Sequence, residues 1–108
     1  MKKFYNLILV SIISLNISFA QVYINEIMSS NLSTIIDEDG SYSDWIEIYN
    51  SGQESVNLEN FSLSDDLNLL DKWQFPEISI GAGRHVLIFA SGKNKFDDGV
   101  LHVNFKIK

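Results

Sequence analysis

The chain has 108 residues, 45% of them hydrophobic, with eight basic against fourteen acidic side chains and a formal net charge of −6. That balance argues against nucleic acid, whose non-specific affinity comes from Lys and Arg on phosphates, and the length leaves room for one small domain and no second. Cysteine is absent, which removes disulfides, thiol nucleophiles and the lipid-attachment residue of bacterial lipoproteins.

Residues 1–20 have the layout of a secretory signal peptide: a basic Met1-Lys2-Lys3 start, an apolar stretch from Leu7 to Leu15, and a small-x-small end at Ser18-Phe19-Ala20. A membrane-spanning helix needs about 20 mainly apolar residues, and Asn6, Ser11, Ser14 and Asn16 interrupt this one. Cleavage is expected after Ala20. The mature domain, residues 21–108, then begins at Gln21, carries no membrane span, and is secreted, either extracellular or periplasmic. Losing Lys2 and Lys3 leaves six basic side chains against fourteen acidic ones, a net charge of −8. Such a surface is soluble and self-repelling.

From Gln21 onward, short runs of Val, Ile, Tyr, Phe and Trp alternate with turn residues, the pattern of strands in an all-β domain. Six runs are predicted: Val22 to Met28, Asp44 to Tyr49, Val56 to Leu63, Lys72 to Ile80, His85 to Ala90 and Leu101 to Ile107. The polar break from Ser29 to Ser43 contains Ile35 and Ile36, which are expected to tuck this loop against the body. Within Trp45-Ile46-Glu47-Ile48-Tyr49, period two places Ile46 and Ile48 on the core face, with Trp45, Glu47 and Tyr49 on the other. The third run loses its alternation at Glu59-Asn60, so a bend or bulge is expected there. Pro76 restricts the fourth run to an edge or a break. In the fifth, Leu87 and Phe89 share a face and are expected, with Trp73 and Phe75, to lie in or beside the core. Ile88 takes the opposite face.

The residues that could carry chemistry do not assemble a reaction. Asp44 and Glu47 stand three apart on one strand and point to opposite faces, whereas a glycosidase pair must converge across about 5 to 9 Å. The acidic loop Asp37-Glu38-Asp39-Gly40, with Asp44 beyond it, offers oxygen ligands that suit calcium. It departs from the EF-hand spacing, because glycine follows Asp39 directly and no glutamate closes the loop. Asp37, Asp39 and Asp44 therefore remain weak calcium candidates beside the plainer reading of a solvated turn, and no cofactor is expected. Gly81-Ala82-Gly83 reads as a hairpin turn. His85 and His102 read as strand surface residues, and no Gly-x-Ser-x-Gly elbow accompanies the serines. The chain is not expected to be an enzyme.

Taken together and in order, Ile24-Asn25-Glu26-Ile27-Met28, Asp44-Trp45-Ile46-Glu47-Ile48-Tyr49-Asn50, Phe61-Ser62-Leu63-Ser64-Asp65, Trp73-Gln74-Phe75-Pro76, Ala82-Gly83 and Leu87-Ile88-Phe89-Ala90-Ser91-Gly92 resemble the lamin tail domain family in its bacterial secreted branch. The resemblance covers residues 22–105. It implies an immunoglobulin-like β-sandwich of two packed sheets. It also marks Asn25, Glu26, Asp44, Trp45, Trp73, Phe75, Pro76, Gly83, Phe89 and Gly92 as structural signature positions. Members of the family continue past the segment matching Leu101 to Phe105 with a further hairpin, so the domain is expected to be incomplete at its C-terminus. Leu101 to Ile107 is then expected to form an unpaired edge open to association with another strand.

The function implied is a non-catalytic interaction, adhesion or anchoring module of an exported bacterial protein, binding a protein or another cell-surface or extracellular ligand. The alternative is an accessory domain of a truncated multidomain secreted enzyme, whose companions in related proteins resemble spore-coat-type kinases, nucleases or phosphatases. Chromatin or nucleic-acid binding, suggested by the nuclear relatives, is opposed by the charge and the leader.

Overall fold

The computed structural model describes residues 7–11 and 21–107. Every regular element among them is a strand, and no helix is long and apolar enough to cross a membrane. The predicted cleavage point after Ala20 and the Lys2-Lys3 start lie outside the described residues.

The larger sheet is built from β2 (Val22–Met28), β3 (Asp44–Asn50), β8 (His85–Ala90), β10 (Val100–His102) and β9 (Lys95–Asp97), in the spatial order β2-β3-β8-β10-β9. All its pairings are antiparallel except β8 with β10, which is parallel. The opposing layer comprises a three-stranded sheet, β1 (Ile8–Ser11), β5 (Phe61–Ser64) and β6 (Trp73–Gln74), in the order β1-β5-β6, and the short pair β4 (Val56–Asn57) with β7 (Ser79–Ile80). The loss of alternation at Glu59-Asn60 thus separates two strands belonging to different sheets. Strand β6 is an edge strand that ends ahead of Pro76, which cannot donate to a ladder.

Period two decides what fills the space between the layers. Ile46, Ile48, Ile88, Ala90 and Leu101 face it from the larger sheet, and Leu58, Leu63, Trp73, Phe75 and Ile80 meet them from the other side. Trp73 and Phe75 meet edge to face, ring centroids 4.8 Å apart. Asn50 fastens one end of the sandwich: its fully buried amide donates to the carbonyls of Glu54 and Ile80, and its oxygen accepts from the Gly52 N–H. The result is an all-β, immunoglobulin-like sandwich.

Three expectations need correction. The core face of β8 is that of Val86, Ile88 and Ala90, not that of Leu87 and Phe89. Phe89 is nonetheless buried, because it sits opposite Trp45 on the outer face under a second cover. Residues 101–107 are not an open edge. The chain leaves β10 beside the 91–94 segment, with Asn94 N–H on the Val103 carbonyl, Gly92 N–H on the Phe105 carbonyl, and an isolated bridge from Ser91 to Lys106. Val103 and Phe105 are core residues there. Finally, Ile35 and Ile36 are exposed; the long loop is held down by polar groups instead.

Candidate functional site

That loop, from Ser29 to Ser43, joins β2 to β3 and carries the acidic run onto the outer face of the larger sheet. Two buried side chains shape it. Asn31 donates through Nδ2 to the carbonyls of Ile35 and Ser43, and its Oδ1 accepts from the Thr34 N–H and hydroxyl, so one amide closes a whole turn. Its own N–H donates to Asp44 Oδ1 at 3.0 Å. Asp37 forms an Asx turn: Oδ1 accepts from the N–H groups of Asp39 and Ser41, while Oδ2 accepts from Ser43 Oγ at 3.0 Å and Lys93 Nζ at 2.6 Å. Gly40 completes the turn with φ +78°, a conformation that a side chain would strain.

Turning the loop this way presents Glu38 and Asp39 to β9 and β10. Asp39 Oδ2 receives both Lys93 Nζ at 2.8 Å and Lys95 Nζ at 2.9 Å. Glu38 lies 3.3 Å from Lys95 and 2.6 Å from Nε2 of His102. The His102 ring is fully buried, stacked on Phe89 at 5.3 Å, and its Nδ1 lies 2.7 Å from Ser91 Oγ. His102 is therefore not the strand surface residue expected from the sequence. Its strand is an inner one, and Glu38, sixty-four positions away, closes over it.

The charges follow from these contacts. Burial works to raise the Asp37 pKa, but Lys93, the two backbone N–H groups and Ser43 outweigh it and hold the carboxyl well below the usual range. Glu38 is also lowered: burial opposes, and the hydrogen bonds from His102 and Lys95 prevail. Asp39 is lowered chiefly by its bonds to Lys93 and Lys95. Both lysines are raised in return, Lys93 against the effect of its burial and Lys95 first of all by Asp39.

Two chemistries deserve comparison with this geometry. Donor atoms of Asp37, Glu38 and His102 lie within 4.8 Å of one another, a spacing a metal ion could bridge. Lys93 and Lys95 already bring positive charge to these carboxylates, and Asp37 has both oxygens engaged by the chain's own donors. Of the calcium candidates, Asp37 and Asp39 are drawn together by Lys93, whereas Asp44 is engaged elsewhere by Asn31. The second chemistry is nucleophilic, because Ser91, His102 and Glu38 line up as hydroxyl, imidazole and carboxylate. Ser91 borders an open hollow of about 290 Å³ with Ser43, Asp44, Lys93 and Lys106 on its walls. The imidazole that would serve as base has no exposed surface, and Glu38 closes over its Nε2. Ser91 Oγ moreover accepts the Lys93 N–H, which suits a hydroxyl that positions a ring.

The remaining signature positions are structural in what they touch. Asn25 lies in a β-bulge between Ile24 and Glu26 and donates to Glu47 Oε1 at 2.7 Å. Glu26 pairs with Glu47 across the strands. Trp45 is buried against the outer cover, Trp73 and Phe75 lie in the core, and Pro76 accepts from the Ile78 N–H. Gly83 and Gly92 take positive φ at turns whose N–H groups bond Asn50 and Phe105. Sequence reading missed Asn31 and Ser91, and also Lys93 and Lys95, whose acidic partners lie more than fifty positions away.

No curated protein and no solved structure matches this chain. The family model Lamin Tail Domain matches residues 17–108, nearly the whole of the sandwich described above. The signature words, the two-layer β architecture and this match agree, and the chain belongs to the lamin tail domain family.

Proposed function

We propose that this chain is a non-catalytic interaction or anchoring module of an exported protein, acting outside the cytoplasm on a protein or another extracellular ligand. The observation that carries this reading is the sealed state of its best chemical constellation. Ser91, His102 and Glu38 fasten the 29–43 loop to the sheet, and the imidazole is fully buried. Family membership supports it, since lamin tail domains are immunoglobulin-like units of a generally non-catalytic kind. The acidic surface and the leader-like residues 1–20 support the address.

Two measurements test the two halves of the proposal. Purified wild type and Ser91→Ala are expected to hydrolyse activated esters at the same background rate, while Ser91→Ala loses about 1 to 2 kcal/mol of stability as His102 Nδ1 loses its partner. Hydrolysis that disappears with Ser91 would overturn the non-catalytic reading. When expressed with its leader in a bacterial host, the protein is expected outside the cytoplasm with Gln21, or its cyclised form, at the N-terminus by mass spectrometry. Intact Met1 in the cytoplasm would overturn the address.

A further inference from the structure

The segment read from sequence as the apolar part of a leader is also a strand of this sandwich. Ile8–Ser11 pairs antiparallel with β5 over four positions, Ile8 with Ser64, Leu9 with Leu63, Val10 with Ser62 and Ser11 with Phe61. Leu7 and Leu9 pack against the core beside fully buried Leu63. On its other side β5 pairs with β6 over two positions, and the Phe61 carbonyl accepts from the Phe75 N–H. Among the described residues, removing β1 therefore leaves Phe61 to Ser64 with a row of unpaired backbone groups over an uncovered part of the core. That edge carries none of the usual protection against pairing: Phe61-Ser62-Leu63-Ser64 has no charge and no proline.

The geometry also says what fits. Leu9 points inward with Leu63, so Ile8 and Val10 share the outer face with Ser64 and Ser62, yet both are half-buried. On that face the loop leaving β5 is fastened down, Ser62 Oγ donating to the Leu70 carbonyl and Ser64 Oγ to that of Leu69. This loop exposes Leu67, Leu69 and Leu70. A strand in the slot thus meets apolar surface inward, while its outward residues Ile8 and Val10 are themselves half-buried, so an ordinary strand that alternates apolar with polar would leave one side unmatched. The N-terminal end of an antiparallel occupant lies by Ser64, next to exposed Asp66, which favours basic residues ahead of the apolar run.

We propose that the β5 edge is a strand-acceptor site, filled by residues 7–11 while these remain attached and, once they are removed, by an extended, continuously apolar segment of another polypeptide with basic residues before it. This deepens the interaction-module reading and rests on it. Such binding is β-augmentation: backbone pairing supplies affinity and side-chain pockets supply selectivity.

The test uses the full chain with a specific protease site placed between Ser14 and Ser18, cut after purification. The N-terminal fragment is expected to stay bound through size-exclusion chromatography. A fluorescent peptide with the sequence of residues 2–12 should then displace it, saturably, as read by anisotropy. Val10→Pro in the peptide removes a ladder donor, because Leu63 turns its backbone groups toward β6 and Ser62 turns its own toward Val10, and Leu9→Lys removes the inward contact; each should weaken binding about tenfold or more. If cutting unfolds the domain, recovery of the folded state on adding the peptide supports the site, and failure to recover overturns it. Release of the fragment from a folded domain that then ignores the peptide overturns it, as does equal binding of the Val10→Pro peptide. Dimerisation of the cut chain without peptide uptake would assign the edge to a second copy and overturn it too. None of these failures touches the ester assay, so loss of the acceptor site and loss of the non-catalytic reading remain distinguishable.

Discussion

Phe89→Ala is expected to destabilise the domain by about 3 to 5 kcal/mol, although Phe89 faces away from the space between the sheets. The ring is 5% exposed, lies opposite Trp45 across β3 and β8, and stacks on His102. Removing it opens a cavity beneath His102 and withdraws the surface on which Glu38 is docked. For a small domain whose whole stability is of order 5 to 15 kcal/mol, that is a large share. Leu87→Ala makes the control: it shares the strand and the face but is only half-buried, opposite Glu47, and should cost about 1 kcal/mol. Urea denaturation of both variants decides the matter. Equal losses would mean that the outer cluster has no energetic identity of its own.

Asp37→Ala is expected to cost about 3 kcal/mol at neutral pH. The substitution leaves the N–H groups of Asp39 and Ser41, the Ser43 hydroxyl and Lys93 Nζ without their common acceptor. The pH dependence follows from the same contacts. In the folded chain the Asp37 carboxyl is held well below the usual range, whereas in the unfolded chain it titrates near about 3.9. A depressed folded value means that the unfolded state binds the extra proton, so this contribution is complete above the unfolded value and is lost as pH falls through it toward the folded one. Glu38 and Asp39, also depressed, act in the same direction. The difference in stability between wild type and Asp37→Ala should therefore shrink steadily between pH 5 and pH 2 in chemical denaturation. A difference that stays constant over that window would show that Asp37 acts only by filling space.

The β-rich middle of the chain was legible because it rests on local rules. Ile46 and Ile48 alternate with Trp45, Glu47 and Tyr49 on a seven-residue strand, and such alternation has one packing solution. Pro76 ended a strand for a covalent reason that no tertiary context can remove. The candidate site was not legible in the same way. The acidic run at Asp37 to Asp39 was visible as charge, but its partners Lys93, Lys95 and His102 lie more than fifty positions away. Nothing in a local window pairs them. Leu87 and Phe89 were assigned the core face because they are bulky, and bulk does not decide between two faces when both are covered.

The sequence by itself determined the class of the domain, its acidic surface and the core alternation of β3, since each depends on composition or on neighbours within a few residues. Only the tertiary structure decided which layer each short strand joins, that His102 is enclosed, that Val103 and Phe105 fill the core, and that residues 8–11 lie along β5. Those outcomes depend on pairings between distant segments, and a strand of two to four residues contains too little pattern to specify its partner until the whole sandwich competes for it.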